Sequence, residues 1–179
     1  MLSRRLVELF GWIDPGPGST HLVSDISGWW RDPQVLAQVG PAVAGLFPED
    51  RPSVVIAPEV TGLLLGPLVA VAAGAGFLPA YKDGGERRRV GPTRWAQTPP
   101  DHRGQRLRIG VDGRRLRPGD RVLLVDDWVD TGAQLDALCL VVRDAGADLI
   151  GAAALVATCP PEVAERLRLR ALVTGADLP

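Results

Sequence analysis

The chain has 179 residues, enough for one domain with a sizeable hydrophobic core, so residues 1–179 are predicted to form a single domain. Its 20 basic and 21 acidic side chains leave a formal net charge of −1, which argues against nucleic acid or an anionic membrane as a partner. Cys139 and Cys159 lack metal-ligand spacing, and the residues after Met1 do not follow a signal-peptide pattern, so we expect a reduced, cytoplasmic protein.

The first half of the chain alternates between helical and strand patterns. A short amphipathic helix and a loop rich in proline and glycine come first, followed by a helix, a strand, an apolar helix and a second strand. They are predicted at residues 4–10, 14–18, 34–47, 53–57, 61–74 and 77–81. Residues 82–89 are charged and contain glycine, which predicts a solvated loop.

Residues 60–78 are almost entirely apolar and allow two interpretations. The segment is about long enough to cross a bilayer, or it is a buried helix and strand of an α/β core. Pro67 and several glycines make it a poor isolated helix, and the strand at 53–57 runs directly into it. The core interpretation is therefore favoured, and no membrane contact is predicted.

The second half continues the alternation. Residues 107–111 and 114–116 alternate around Asp112-Gly113, which predicts a hairpin, and residues 117–120 form a turn. A central strand, a helix, a strand, a helix and a last strand follow at 122–125, 133–145, 149–157, 161–169 and 171–174. Such alternation predicts an α/β fold with a central, mostly parallel sheet flanked by helices, with ligands bound at the carboxyl ends of its strands.

The run from Val122 to Gln134 carries the strongest functional signal. Four apolar residues predict a buried strand, Asp126 and Asp127 stand where it should end, and a loop with Gly132 leads into a helix. Backbone N–H groups and a helix amino terminus at one point favour an anion such as phosphate. Two carboxylates beside it suit hydroxyls, so the pattern indicates a sugar phosphate. The alternative is that the carboxylates only cap the next helix.

This run resembles the phosphoribosyl pyrophosphate signature of type I phosphoribosyltransferases. The resemblance implies their fold, with a small hood and a mobile hairpin loop added to the parallel sheet. It also implies that Asp126 and Asp127 hold the ribose hydroxyls. In the same way, it assigns the 5′-phosphate to backbone N–H groups of four consecutive residues: Thr131, Gly132, Ala133 and Gln134.

Other stretches resemble adenine phosphoribosyltransferases in particular, and the similar stretches follow the same order along the chain. They are residues 25–27 with 31–33, residues 62–70 and residues 91–96. Several positions depart from that subfamily. Thr61 and Ser24 stand where it has arginine, and Gln134 replaces the last threonine of its phosphate loop. The resemblance therefore leaves the accepted base and the rate of turnover open.

The resemblance also suggests roles for side chains outside the signature. Asp101 lies where the adenine subfamily has a catalytic glutamate, whereas Asp130 matches the acid/base aspartate of hypoxanthine-guanine phosphoribosyltransferases, so one of the two is expected to act. Lys82, the single lysine, follows a predicted strand. It stands at the position where the family has a basic residue that binds pyrophosphate. Leu22 and Val23 precede a matching motif where the family lines its base pocket, with simple packing of the amino-terminal segment as the alternative.

The function implied is a purine phosphoribosyltransferase, adenine-like, that consumes phosphoribosyl pyrophosphate and a nucleobase and releases pyrophosphate. Mg²⁺ is the expected cofactor, bound mainly with the substrate rather than by a protein metal site. A homodimer is also expected. Two alternatives stay open: a regulatory module that binds phosphoribosyl pyrophosphate or a nucleotide without turnover, and a phosphoribosyltransferase for a non-purine acceptor.

Overall fold

The computed structural model describes residues 2–18, 22–84, 91–100 and 105–179. Its helices are α1 (Leu2–Glu8), α2 (Ser27–Arg31), α3 (Pro33–Ala44), α4 (Gly62–Ala73), α5 (Ala133–Asp144) and α6 (Pro161–Leu167), followed by a 3₁₀ turn at Gly175–Asp177. Its strands are β1 (Gly11–Ile13), β2 (Val23–Asp25), β3 (Val54–Pro58), β4 (Gly76–Lys82), β5 (Thr93–Gln97), β6 (Arg108–Asp112), β7 (Arg121–Val129), β8 (Asp148–Ala157) and β9 (Leu169–Thr174).

Seven of these strands form one sheet in the order β5-β6-β4-β3-β7-β8-β9. The five strands from β4 to β9 in this order run parallel, with β7 in the middle of them. β6 joins the edge of β4 antiparallel, and β5 pairs antiparallel with β6. The predicted α/β fold, with a mostly parallel sheet and a central strand at residues 122–125, is therefore confirmed.

Apolar side chains bury both faces of the sheet. One core packs α1, α3 and α4 against it, with Val39 and Leu65 among its fully buried residues. The other core packs α5 and α6 against the opposite face, with Leu138 and Leu167 at its centre. Because β3, β7 and β8 are covered on both sides, they consist of apolar runs rather than alternating residues.

The segment at residues 60–78 contains α4 and the first three residues of β4, as the core interpretation predicts. α4 ends at Gly74, whose left-handed conformation (φ 65°) caps the helix. Across the described ranges, no helix is long and apolar enough to cross a membrane.

The predicted hairpin around Asp112-Gly113 is wrong. Residues 114–116 form a turn instead, because the Asp112 side chain accepts a hydrogen bond from the backbone N–H of Arg114 at 2.9 Å. The true antiparallel partner of β6 is β5, with Trp95 opposite Gly110. The hairpin that the family resemblance implies is thus β5–β6, and its mobility stays a prediction.

Two further differences concern the strands. β7 does not end before the acidic pair but continues to Val129, because Asp126 and Trp128 pair with Ala154 and Val156 of β8. β1 and β2 were not predicted, since three residues are too few to show an alternating pattern. They form a separate two-stranded antiparallel sheet that corresponds to the expected small hood.

Candidate functional site

The acidic pair lies inside the carboxyl-terminal part of β7. Asp126 is only 7% exposed, whereas Asp127 is half-buried. The backbone N–H of Asp127 donates to the Asp126 side-chain oxygen Oδ1 at 3.0 Å. The two neighbouring carboxylates are thus held by the strand itself, at the edge of the sheet where parallel strands present ligand sites.

Burial dominates the protonation of this pair. It raises the pKa of Asp126 well above its usual range, and the negative charge of Asp127 raises it further. Burial also raises the pKa of Asp127. The positive charge of Lys82 opposes both increases, so this lysine is close enough to act on the pair.

Lys82 is the last residue of β4, two strands away from β7. Its backbone N–H donates to the Glu59 side-chain oxygen Oε1 at 2.6 Å. Glu59 follows β3 directly, and the peptide bond that joins it to Val60 is cis. The carboxyl ends of three neighbouring parallel strands therefore bring Glu59, Lys82 and the acidic pair to one edge of the sheet.

The loop between β7 and α5 has the form that the sequence predicts. Ala133 is the first residue of α5, and the N-cap residue Gly132 has a left-handed backbone with φ 72°. The Thr131 side-chain oxygen Oγ1 accepts a hydrogen bond from the Ala133 N–H at 3.3 Å. Because glycine offers no capping side chain, the first turn of α5 presents backbone N–H groups and a partial positive charge to a ligand.

Gly132 is also required by its close approach to α6. A side-chain Cβ at this position would lie 2.6 Å from Cγ1 of Val163 and 3.0 Å from Cδ1 of Leu167. α6 therefore packs directly against the loop, which places the polar side chains of α6 beside the α5 amino terminus.

A cleft of about 600 Å³ opens in front of this loop. We call it the β7–α5 cleft. Its described lining comprises Thr98, Pro99, Pro100, Leu107, Asp126, Trp128, Val129, Asp130, Thr131, Gly132, Ala133, Gln134, Leu135, Asp136 and Arg166. The structure thus brings together six predicted residues, namely Asp126 and the five residues from Asp130 to Gln134. Asp127, Lys82, Leu22 and Val23 lie outside this lining.

Asp130 lines the β7–α5 cleft and is exposed. The Thr158 hydroxyl lies 3.3 Å from the Asp130 side-chain oxygen Oδ1 and accepts a hydrogen bond from the Trp128 indole N–H at 3.0 Å. The Trp128 ring in turn lies 5.7 Å from the ring of Phe10. This contact connects Asp130, through two side chains, to the amino-terminal segment that forms the hood.

The other predicted positions have different outcomes. Leu22, directly before β2, and Val23, its first residue, are exposed, and their proposed contact with the base stays a prediction. Asp101 and the tip of the predicted loop at residues 82–89 lie outside the described residues. Among the described residues, no three His, Cys, Asp or Glu side chains are placed to hold a metal ion.

Four residues that line or support the β7–α5 cleft were missed by the sequence reasoning. Trp128 and Asp136 are close to the signature in sequence, so a search for polar or aromatic residues around it finds them. Thr158 directly follows β8, and Arg166 lies on α6. No local sequence pattern marks either residue. Their position depends on the pairing of β7 with β8 and on the packing of α6 against Gly132.

The chain is similar in sequence to known phosphoribosyltransferases. An adenine phosphoribosyltransferase of Streptomyces coelicolor is 31% identical over 178 residues, which cover 99% of this chain and 92% of that protein. A xanthine phosphoribosyltransferase of Brevibacillus brevis is 34% identical over 128 residues, 70% of this chain and 63% of that protein. No protein-family model matches the chain.

Solved structures have the same fold. The adenine phosphoribosyltransferase of Giardia lamblia, complexed with 9-deazaadenine, superposes with a TM-score of 0.83 over 97% of this chain and 98% of its own, at 24% identity. The adenine phosphoribosyltransferase of Rhodothermus marinus superposes with a TM-score of 0.81 over 97% of this chain and 98% of its own, at 23% identity. The fold of this chain is therefore a known architecture.

Proposed function

The chain belongs to the type I purine phosphoribosyltransferase family, and we propose that it transfers the 5-phosphoribosyl group from phosphoribosyl pyrophosphate to a purine base, releasing pyrophosphate. One observation carries the proposal. The buried Asp126 lies in the same cleft as the amino terminus of α5 and the loop around Gly132. A carboxylate suited to sugar hydroxyls and N–H groups suited to a phosphate thus line one cleft.

In this mechanism the protein positions the sugar and stabilises the charges that develop. Asp126 and Asp127 accept hydrogen bonds from the ribose hydroxyls, and the residues from Thr131 to Gln134 donate backbone N–H groups to the 5′-phosphate. Lys82, whose charge acts on the acidic pair, contributes positive charge on the pyrophosphate side. Catalysis then rests on orientation and electrostatics as the bond from ribose C1 to pyrophosphate breaks.

We propose that Mg²⁺ enters with phosphoribosyl pyrophosphate rather than through a protein metal site. Pyrophosphate oxygens and waters supply the oxygen ligands that this cation prefers. Bound in this way, the cation would neutralise negative charge on the leaving group.

Proton transfer at the base needs one acid/base group, and two are proposed. Asp130 is supported by its place in the lining of the cleft and by the Thr158 hydroxyl, which lies 3.3 Å from its carboxylate. Asp101 is proposed from the family resemblance alone. Leu22 and Val23, exposed on the hood, are proposed to contact the base.

A second candidate function is binding without turnover. Thr61, which replaces the pyrophosphate-binding arginine expected from the resemblance, directly precedes α4, and its side chain makes no capping hydrogen bond there. A threonine hydroxyl cannot supply the charge of a guanidinium, so this substitution favours a sensor of phosphoribosyl pyrophosphate over an efficient enzyme.

We further propose a cytoplasmic homodimer in which residues 1–179 act as one domain. Both cysteines are free, which suits a reducing compartment. Leu64 and Val71, two turns apart on one face of α4, are exposed together with Val60, and no charged residue occurs between Glu59 and Lys82. An apolar face of this kind suits a second copy of the chain.

The proposed function is tested by incubating the protein with phosphoribosyl pyrophosphate, Mg²⁺ and adenine, hypoxanthine, guanine or xanthine in turn, and assaying pyrophosphate. Release that depends on one of the purines supports the enzyme. Binding of phosphoribosyl pyrophosphate by calorimetry, with no release for any base, supports the sensor. Absence of both binding and release contradicts both candidates.

A further inference from the structure

The charges that line the β7–α5 cleft are unfavourable for a phosphate. Three carboxylates line it, those of Asp126, Asp130 and Asp136. Arg166 is the one basic residue in its described lining. Since a phosphate at the loop carries up to two negative charges, backbone N–H groups alone face strong repulsion from these side chains.

Asp136 holds Arg166 in a defined position. It lies in the first turn of α5, and its two carboxylate oxygens accept hydrogen bonds from the Arg166 Nε–H and Nη2–H at 2.9 and 2.8 Å. Such a two-point contact orients the planar guanidinium. The Arg166 side chain belongs to the cleft lining and remains 48% exposed, and a guanidinium has further N–H groups besides the two that Asp136 binds.

The packing of α6 against Gly132 explains why this arginine lies near the β7–α5 loop. Val163 and Leu167 of α6 pack against Gly132, and Arg166 lies on the same helix one residue before Leu167. Arg166 is thus fixed beside the α5 amino terminus by packing as well as by its ion pair.

We propose that Arg166 is a phosphate-binding residue of this chain, aimed by Asp136 toward the 5′-phosphate of the sugar. The proposal rests on the proposed function and adds to it the side chain that makes an acidic cleft accept an anion. Asp136 acts as a positioning residue. The simpler explanation is that the ion pair only joins α5 to α6, and the two explanations predict different effects on binding.

The test measures ribose 5-phosphate binding by calorimetry and the melting temperature of each variant. Arg166→Gln should weaken ribose 5-phosphate binding at least tenfold, because the negative charge of Asp136 is then left unneutralised beside the phosphate. The same variant should reduce the salt dependence of binding. Arg166→Lys, which keeps the positive charge but cannot make the two-point guanidinium contact, should weaken binding less than Arg166→Gln does. The control is Arg114→Gln, which breaks a similar ion pair with Asp112 in a turn outside the cleft and should leave affinity unchanged.

The double variant Arg166→Gln/Asp136→Asn separates charge from packing. If Arg166 neutralises the cleft, the double variant should bind ribose 5-phosphate more tightly than Arg166→Gln alone. The proposal is overturned if Arg166→Gln and Arg166→Lys keep wild-type affinity, or if they lower only the melting temperature. Failure of the wild-type protein to bind ribose 5-phosphate would instead contradict the proposed function.

Discussion

At the residue scale, Asp126 and Asp127 carry the strongest expectation. Hydrogen bonds from sugar hydroxyls to carboxylates contribute roughly 1.5–3 kcal/mol each, so Asp127→Asn should weaken phosphoribosyl pyrophosphate binding about tenfold or more while the fold stays intact. Asp126→Asn should weaken it at least as much, because Asp126 lines the cleft and is nearly buried. Calorimetry paired with thermal melts measures both effects.

The matched control is Asp148→Asn, an exposed carboxylate at the amino end of β8, at the opposite edge of the sheet. It should leave binding unchanged. If the Asp126 and Asp127 variants instead kept wild-type affinity and melted at a lower temperature, the carboxylates would have only a local structural role.

The protonation of Asp126 makes a separate prediction about stability. Because burial raises its pKa in the folded state, the neutral form is favoured on folding. The associated stabilisation is fully present below the ordinary carboxyl pKa and is lost as pH rises through the raised pKa. Over that interval the free energy of unfolding should fall by at most about 1.4 kcal/mol per pH unit for one group.

Denaturant titrations of the wild type and Asp126→Asn at several pH values measure this effect. The difference between them should change across the interval, because asparagine does not titrate and leaves the acidic pair with one ionisable group. Parallel curves for the two proteins would contradict the raised pKa of Asp126.

At the element scale, the junction of β7 and α5 depends on Gly132. An alanine there needs a left-handed backbone and a Cβ that overlaps Val163, so Gly132→Ala should lower the free energy of unfolding by about 1–3 kcal/mol. It should also weaken ribose 5-phosphate binding, because the loop and α6 must move apart.

Gly119→Ala is the control for backbone strain alone. Gly119 has φ 81°, and a Cβ there meets no atom within 4 Å. Gly119→Ala should lower the free energy of unfolding less than Gly132→Ala does, and it should leave ribose 5-phosphate affinity unchanged. Equal losses of stability and unchanged binding in both variants would mean that the contact with α6 has no role at the phosphate loop.

At the scale of the whole molecule, the exposed face of α4 predicts self-association. Val71 is 83% exposed, and replacing it by arginine places charge on a face that a second copy is proposed to cover. Light scattering should therefore show a dimer for the wild type and a monomer for Val71→Arg. Leu140→Arg, on the partly exposed face of α5, is the control and should remain dimeric. A monomeric wild type would exclude this interface.

The sequence by itself determined the parallel part of the sheet and the loop that joins β7 to α5. Both are encoded locally. A strand buried on both faces needs a continuous apolar run, as at residues 122–125, and a tight turn into a helix needs a residue such as Gly132. The family resemblance was carried by the same short stretches, which explains why the fold and the loop of the candidate site were predicted together.

Only the tertiary structure decided how distant residues combine at the site. β6 pairs with β5 rather than with residues 114–116, which form a turn in which the backbone N–H of Arg114 donates to the Asp112 side chain. Arg166 reaches the β7–α5 cleft because α6 packs on Gly132, and Thr158 reaches Asp130 because β8 lies beside β7. Such contacts depend on the three-dimensional packing of separate elements, and no periodicity or motif in the chain encodes them.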